Sequence, residues 1–442
     1  MIRGAAGSRR PFGPAVAGSH TRTSGAGVLG LRRGGFRFIL AAGMQGHRDS
    51  ILAAAAAARD ATARTLSDIV KIPSPSGGEE KVCRLIEALC REARFDEVRI
   101  DGLGSVIARV GRGPRTIAID AHIDTVGVGD PSRWQDDPFS GLVRDGLVHG
   151  RGCADQKGGA AAMIAAGRIL KCIGYDGEFS ISFTFTVLEE DCDGLCWRYL
   201  IEKEGLVPEF AVSTEPTSCR LYRGHRGRME MRAVVRGVSA HGSAPERGES
   251  AAYKASRAAL AMERLNGTLA SDEFLGKGTV VVSKMDVRGP SQCAVPDQGE
   301  IYLDRRLTWG ETAEAALAQA REAMGADAQS IAMPWYEGRG WNGASYGQEL
   351  YFPTWKIPAD HPLVKAGRAT HDLLFGREPE MGKWTFSTNC VAICGRHGIP
   401  CIGFGPGDED KAHAPNEHTR IDDLVASSAF YAMLPIVLGK DA

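Results

Sequence analysis

The sequence lacks any excess of charge: 53 basic residues stand against 54 acidic ones in 442. That balance gives no electrostatic reason to expect nucleic acid or an anionic membrane as a partner. It also lacks any run of about 18 apolar residues, so no membrane span is predicted. The 11 cysteines form no short repeated pairing. Cys192/Cys196 and Cys390/Cys394 are each separated by three residues rather than the two of a zinc knuckle or redox pair. Buried reduced thiols in a cytoplasmic protein are the reading that remains. Gly403-x-Gly405-x-Gly407 lacks the dinucleotide-binding spacing and precedes no helical pattern, so it reads as a turn.

Acidic residues are absent from the first 43 positions, which hold Gly, Ala, Ser and Arg without helical or strand periodicity. Ser8-Arg9-Arg10-Pro11-Phe12 looks like a twin-arginine export motif, but His20, Arg22, Arg32 and Arg33 occupy the stretch where an apolar segment should follow. An organelle transit peptide has a similar composition. An upstream start before a true start at Met44, or a disordered tail, is the simpler account. Folded sequence is expected from near Arg48, with 1–47 as an extension.

What is present is a two-domain pattern, as a chain of this length leads one to expect. Helices are predicted over residues 50–70, 79–93 and 158–173, and apolar strands over 116–121 and 210–213. Phe179, Ile181, Phe183, Phe185 and Val187 alternate with Ser and Thr as a strand ending at Glu189. Strands alternating with helices argue a mixed or parallel α/β sheet. From Arg226 the pattern changes: strand 229–235, helix 249–265, strands 279–285 and 300–307, helix 311–324 and strand 330–333. That βαββαβ order is the ferredoxin-like split-βαβ sandwich, read as an inserted lid. The predicted division is 48–221 and 334–442 for an α/β metal-binding domain, and 222–333 for the lid. Helices over 362–375 and 422–438, with apolar runs at 391–393 and 400–404, complete the first domain.

The chemistry sits at the strand ends. His122 and Asp124 follow one strand, and Asp155 opens a helix in Gly150-Arg151-Gly152-Cys153-Ala154-Asp155-Gln156-Lys157-Gly158-Gly159. Glu189 and Glu190 end another strand, and Glu215 ends the next. His413 lies far downstream in Lys411-Ala412-His413-Ala414-Pro415-Asn416-Glu417. Taken singly these are ordinary: a loop histidine is usually solvated, adjacent glutamates are usually a surface pair, and an aspartate before a helix is usually a cap. Together they put costly polar groups at the edge where an α/β sheet presents its catalytic residues. Divalent cations compensate such burial, and a two-metal hydrolase needs His and Asp/Glu from several loops around cations roughly 3.5–4 Å apart. Glu189 and Glu190 can both face such a site only if the strand breaks there, because neighbours in a strand point oppositely. Asp191-Cys192-Asp193-Gly194 is compatible with a break.

Over residues 48 to 440 these motifs resemble the M20 metallopeptidase family of deacetylases, desuccinylases, carboxypeptidases and dipeptidases. Through Glu189-Glu190-Asp191-Cys192-Asp193-Gly194 the chain is similar to the M20 hydrolases linked to selenium metabolism. The resemblance implies two divalent ions, zinc first with cobalt or manganese as alternatives. His122 and Glu215 would hold one ion, Glu190 and His413 the other, and Asp155 would bridge them. It implies that Glu189 is the general base acting on a metal-bridged hydroxide, and that Asp124 fixes the His122 ring from behind. His241, in Ser239-Ala240-His241-Gly242, matches the lid histidine that polarises the substrate carbonyl and, in dimers, reaches the partner's site. Arg306, in Asp304-Arg305-Arg306, matches a clamp for a substrate carboxylate. Trp309 stands where relatives often have proline, and Ser387-Thr388-Asn389 and Gly405-Pro406-Gly407 fall where relatives line the pocket. Cys153 and Cys192 read as bystander thiols. The implied activity is hydrolysis of an N-acyl amino acid or dipeptide-like small molecule carrying a free carboxylate, by a homodimer paired through its lids. A non-catalytic metal-binding scaffold on the same fold is the alternative, to be separated by metal analysis and activity before and after chelation.

Overall fold

Two sheets carry the fold, and the change of sequence pattern at the end of the first marks where the second begins. The computed structural model describes residues 30–440, with side chains from residue 44. The expectations for Ser8–Phe12 therefore lie outside the described residues. A helix Gly30–Ala57 runs through the position where folded sequence was expected to begin, and Arg59–Val70 continues beyond it.

The larger sheet has nine strands. Its order is Glu97–Ile100, Val106–Val110, Phe179–Thr186, Arg115–His122, Phe210–Ser213, Cys401–Gly403, Leu221–His225 and Trp355–Lys356, with Met381–Trp384 also paired to Leu221–His225. Arg115–His122 is parallel to both its neighbours, and Cys401–Gly403 is parallel to Phe210–Ser213. Parallel strands need both faces covered. Helices Gly158–Cys172, Pro362–Phe375 and Ile421–Leu438 pack together, and they contact strands Arg115–His122, Cys401–Gly403 and Phe179–Thr186 respectively. This explains a feature that alternation alone does not convey. Strand Phe179–Thr186 is buried at all eight positions. Its phenylalanines enter the apolar core, each adding roughly 1.5–3 kcal/mol by burial. On the opposite face Thr184 and Thr186 donate to Asp120 Oδ1 at 2.7 and 3.2 Å, and Asn389 Nδ2 donates to Asp120 Oδ2 at 2.9 Å. The polar half of the period is thus a satisfied buried network rather than a solvated face.

Helix Ile421–Leu438 is long and apolar enough to cross a membrane by length and mean hydropathy (1.5), yet most of it is buried in this layer. Near its start, Leu424 joins Leu66, Val70, Val148, Cys153 and Ala161 in one core cluster. Lys157 is fully buried, and its ammonium donates to Ile72 O (2.8 Å) and Ile69 O (3.4 Å) at the end of helix Arg59–Val70. A cation at a helix C-terminus satisfies carbonyls that otherwise have no partner.

The second sheet begins at Gly227. Its antiparallel order is Thr279–Arg288, Gln298–Leu307, Gly227–Arg236 and Ser330–Ala332, with Tyr351–Phe352 also on Gly227–Arg236. Helices Ala251–Thr268 and Ala313–Met324 share a core with Met229, Met231, Ala233, Val235, Ile301 and Leu303. The α/β fold with its inserted βαββαβ sheet is therefore as expected. Both helices start two residues later than predicted, because Ser250 and Thr312 take the cap position, their hydroxyls accepting from Tyr253 N and Ala315 N. A hairpin of Trp335–Arg339 with Ser345–Glu349 follows the lid and has no counterpart in the sequence reading.

Candidate active site

Strand ends deliver the polar groups together. His122 closes strand Arg115–His122, and its Nδ1 donates to the carbonyl of Asp124 at 3.0 Å. The Asp124 carboxylate lies farther off, Oδ1 at 3.6 Å from the same nitrogen. Orientation of the ring thus comes first from the backbone, and it leaves the Nε2 lone pair facing the site. Nε2 lies 2.9 Å from Asp155 Oδ1, 3.8 Å from Glu215 Oε1 and 3.9 Å from Glu189 Oε2. The other oxygen of Asp155, Oδ2, lies 3.3 Å from His413 Nε2, which is itself 3.0 Å from Glu190 Oε2. One carboxylate therefore spans two histidines that are 291 positions apart in sequence (413 − 122).

Of the nine residues singled out in the sequence, the cluster brings together His122, Asp124, Asp155, Glu189, Glu190, Glu215 and His413. Arg306 lines the adjoining cleft of about 340 Å³, where Asp304 holds its guanidinium through Nε and Nη2 at 2.8 and 2.9 Å. His241 is not brought in. It is exposed on the lid, bonded through Nδ1 to Ser243 Oγ at 2.7 Å. Trp309 is half-exposed beside Lys356.

Two groupings can hold a cation: His122, Asp155 and Glu190, and His122, Glu189 and Glu215, in each of which the donor atoms all lie within 4.8 Å of one another. No cysteine belongs to either. Electrostatics point the same way. Burial, then the charges of Asp193, Glu215 and Glu190, raises the Glu189 pKa well above the ordinary carboxylate range. Burial and then Asp155 also raise Glu215 and Glu190. His413 is pushed up to about 10 by its hydrogen bonds to Asp155 and Glu190. His122 is raised despite burial, the largest influence, by Glu189, Asp124, Asp155 and Glu215 together. Acids that resist ionisation beside histidines that retain protons describe a pocket short of positive charge. Glu189 Oε1 and Glu215 Oε2 are buried without hydrogen-bond partners, which is how open ligand or acceptor positions look. The residues fit two divalent cations.

Several supporting residues were given no role in the sequence reading, although Gly405 and Ser387 fall in the two segments expected to line the pocket. Glu417, fully buried, accepts from Gly152 N, Ala154 N and Asp155 N at 3.0, 2.8 and 3.0 Å and from Arg151 Nη1 at 2.6 Å. It thereby fixes the loop that carries Asp155. Gly405 passes so close behind Glu215 that a Cβ would lie 2.3 Å from the Glu215 carbonyl, which no other residue permits. Arg228 and Glu409 line the cleft beside Arg306. Arg228 stacks on Phe352 and pairs with Asp193, which Ser387 also bonds. No pattern of spacing distinguishes these residues from ordinary loop positions.

A mixed sheet whose strand ends gather two histidines around one shared carboxylate, with a split-βαβ domain inserted in the chain, defines a metal-dependent hydrolase. Residues 118–435 match Peptidase family M20/M25/M40, and the chain belongs to that family. It is 50% identical over 375 residues to the uncharacterized protein YgeY of Escherichia coli strain K12, covering 84% of this chain and 93% of that one. It is 26% identical over 381 residues to a succinyl-diaminopimelate desuccinylase of Magnetococcus marinus, covering 82% and 93%. Its fold is like that of the Bacillus subtilis YXEP protein, a dinuclear metal-binding peptidase of the M20 family, with a TM-score of 0.63 at 16% identity over 87% of this chain and 99% of that one. The protein is a metal-dependent hydrolase of amide C–N bonds.

Proposed function

We propose that the chain hydrolyses the amide of an N-acyl amino acid or dipeptide-like small molecule bearing a free carboxylate. His122 and Glu215 would hold one divalent ion, Glu190 and His413 the other, and Asp155 both, with zinc the first candidate and cobalt or manganese the alternatives. When bound, such ions lower the pKa of water and polarise the scissile carbonyl. Glu189 receives the proton of the attacking water and returns it to the departing amine. Its buried, unpartnered Oε1 is an acceptor positioned for that exchange. Arg306, pre-oriented by Asp304, binds the substrate carboxylate. His241, exposed on the lid and away from the cluster of its own chain, would supply a hydrogen bond to the developing oxyanion in the active site of a second copy. Pairing through the lid is favoured by the outer strand Thr279–Arg288, where Val281 and Met285 are 58% and 47% exposed at the free edge.

The observation that carries this reading is Asp155 standing between His122 and His413, 2.9 Å from one and 3.3 Å from the other. The test is metal analysis of the purified protein, with turnover of a panel of N-acyl amino acids and dipeptides before and after chelation. Two ions per chain, loss of turnover on chelation and recovery on adding zinc, cobalt or manganese are expected. Full turnover in metal-free protein would end the proposal.

A further inference from the structure

The strand carrying the adjacent glutamates does break, and the break is at Leu188, whose φ of +62° is a conformation that non-glycine residues seldom adopt. Three consecutive amides around it each point at a carboxylate. Leu188 N donates to Glu79 Oε1 at 3.2 Å, Glu189 N to Asp124 Oδ1 at 3.2 Å, and Glu190 N to Asp124 Oδ2 at 3.0 Å. The two acids come from different segments, and those segments are tied together. Ser74 Oγ donates to Ile123 O at 2.7 Å, Thr125 N donates to Ser74 O at 2.9 Å, and Ser76 Oγ donates to Asp124 Oδ2 at 2.7 Å. Glu79 stands at the N-cap position of helix Glu80–Glu92, where its side chain makes no bond to the helix; it is fully buried, so its carboxylate has little freedom to leave Leu188.

We propose that Glu79 is a positioning residue for hydrolysis: by holding the Leu188 amide it keeps the chain in the left-handed turn that admits Glu189 and Glu190 to the same site. Without the turn, the strand's alternation would send one of the two glutamates away from the cluster. Asp124 performs the companion task one and two residues on, which is a second role for that carboxylate beside its place behind His122. This inference rests on the proposed roles of Glu189 as base and Glu190 as ligand.

Variants Glu79→Ala, Glu79→Gln, Leu188→Gly and Glu79→Ala/Leu188→Gly separate positioning from general support. In the metal-loaded enzyme, Glu79→Ala is expected to lower kcat by about tenfold or more with KM within about twofold, and to weaken retention of one of two ions. Glu79→Gln keeps an acceptor oxygen for the Leu188 amide and is expected to stay within about threefold of wild type. Glycine adopts a positive φ unaided, so in the Leu188→Gly background the further cost of Glu79→Ala should shrink to under about twofold. An undiminished cost in that background, or wild-type kcat in Glu79→Ala, overturns the inference. Amide exchange at residues 188–190 provides a readout independent of turnover. Faster exchange in Glu79→Ala than in wild type supports the positioning role even if the wild-type protein cleaves no amide, and unchanged exchange refutes it. Absence of both metal and turnover in the wild type would instead count against the functional proposal alone.

Discussion

Glu189 and Glu190 occupy one site but differ in what they touch. Glu190 Oε1 accepts from Val126 N at 3.2 Å while Oε2 meets His413, so both its oxygens are engaged. Glu189 keeps Oε1 free. A free, buried acceptor can take up a proton and give it back, and the doubly held Glu190 suits a fixed ligand; Glu215, also with a free oxygen, is set apart from Glu189 by its proposed place on the ion that His122 holds. Glu189→Ala should therefore retain about the wild-type metal content while kcat falls by about 10²–10⁴-fold. Turnover near wild type in that variant would refute the base assignment. His225 invites a prediction about stability. It is fully buried, with Nδ1 donating to Arg226 O at 2.8 Å, and Nε2 accepting from Thr388 Oγ1 at 3.1 Å and Thr388 N at 3.3 Å. The second Nε2 partner is a backbone amide that can only donate, so the neutral ring is the form that fits. Burial lowers the pKa from the usual 6.5 to about 4. Between those values the unfolded chain binds the proton and the folded one does not. Stability is thus lost as pH falls from 6.5 towards 4, by roughly 3 kcal/mol in full. Urea denaturation at pH 7 and pH 4 should show a smaller loss in His225→Gln than in wild type, because the other titrating groups are common to both.

Loops rather than strands hold the site in register, and the sequence is least informative there. The strand ends could be read because apolar runs stop at His122, Glu189 and Glu215, a signal that side-chain burial imposes on composition. Pairing of Asp155 with two distant histidines has no local signature, and it entered only through resemblance to a known family. Glu417 shows why. In sequence it is one acid in a polar loop, indistinguishable from the exposed Asp408 or Asp410 nearby. In the fold it is surrounded by three amides and a guanidinium, which burial and distant contacts create. The hairpin of Trp335–Arg339 and Ser345–Glu349 was missed because its side chains are mostly exposed or half-buried, so no hydrophobic period marks it. Yet its Gln348 donates from Nε2 to Cys192 Sγ and Asp193 O, and Tyr336 bonds Asp191, bracing the segment after Glu190. The prediction at this scale concerns Glu417→Gln. An amide nitrogen would face donors, leaving buried N–H groups unanswered, and a loss of about 2–4 kcal/mol is expected. Thermal unfolding with and without added metal checks it: metal should restore less stability to the variant than to wild type, because Asp155 is no longer anchored.

At the scale of the whole molecule, the single chain has an incomplete feature: the lid histidine stands away from the cleft it is proposed to serve. The outer lid strand Thr279–Arg288 has a free edge, and Tyr253 and Leu260 on helix Ala251–Thr268 are 72% and 53% exposed. An isologous pairing across this region would cover a sheet edge and the exposed Tyr253 and Leu260 at once, and would carry each His241 toward the other chain. Glu189→Ala and His241→Ala should then each be nearly inactive as purified dimers. If the two are co-expressed with different tags, chains assort at random and half the dimers are mixed. In a mixed dimer one cleft has an intact Glu189 and receives an intact His241 from its partner, while the other has neither. Activity of the mixture should recover to about one quarter of wild type per cleft, and isolated mixed dimers to about one half. Substituting Val281 and Met285 with lysine in both chains should yield monomers by light scattering and abolish the recovery. If the mixture recovers nothing while both parents remain dimeric, His241 acts within its own chain, and the lid must swing to reach the cleft.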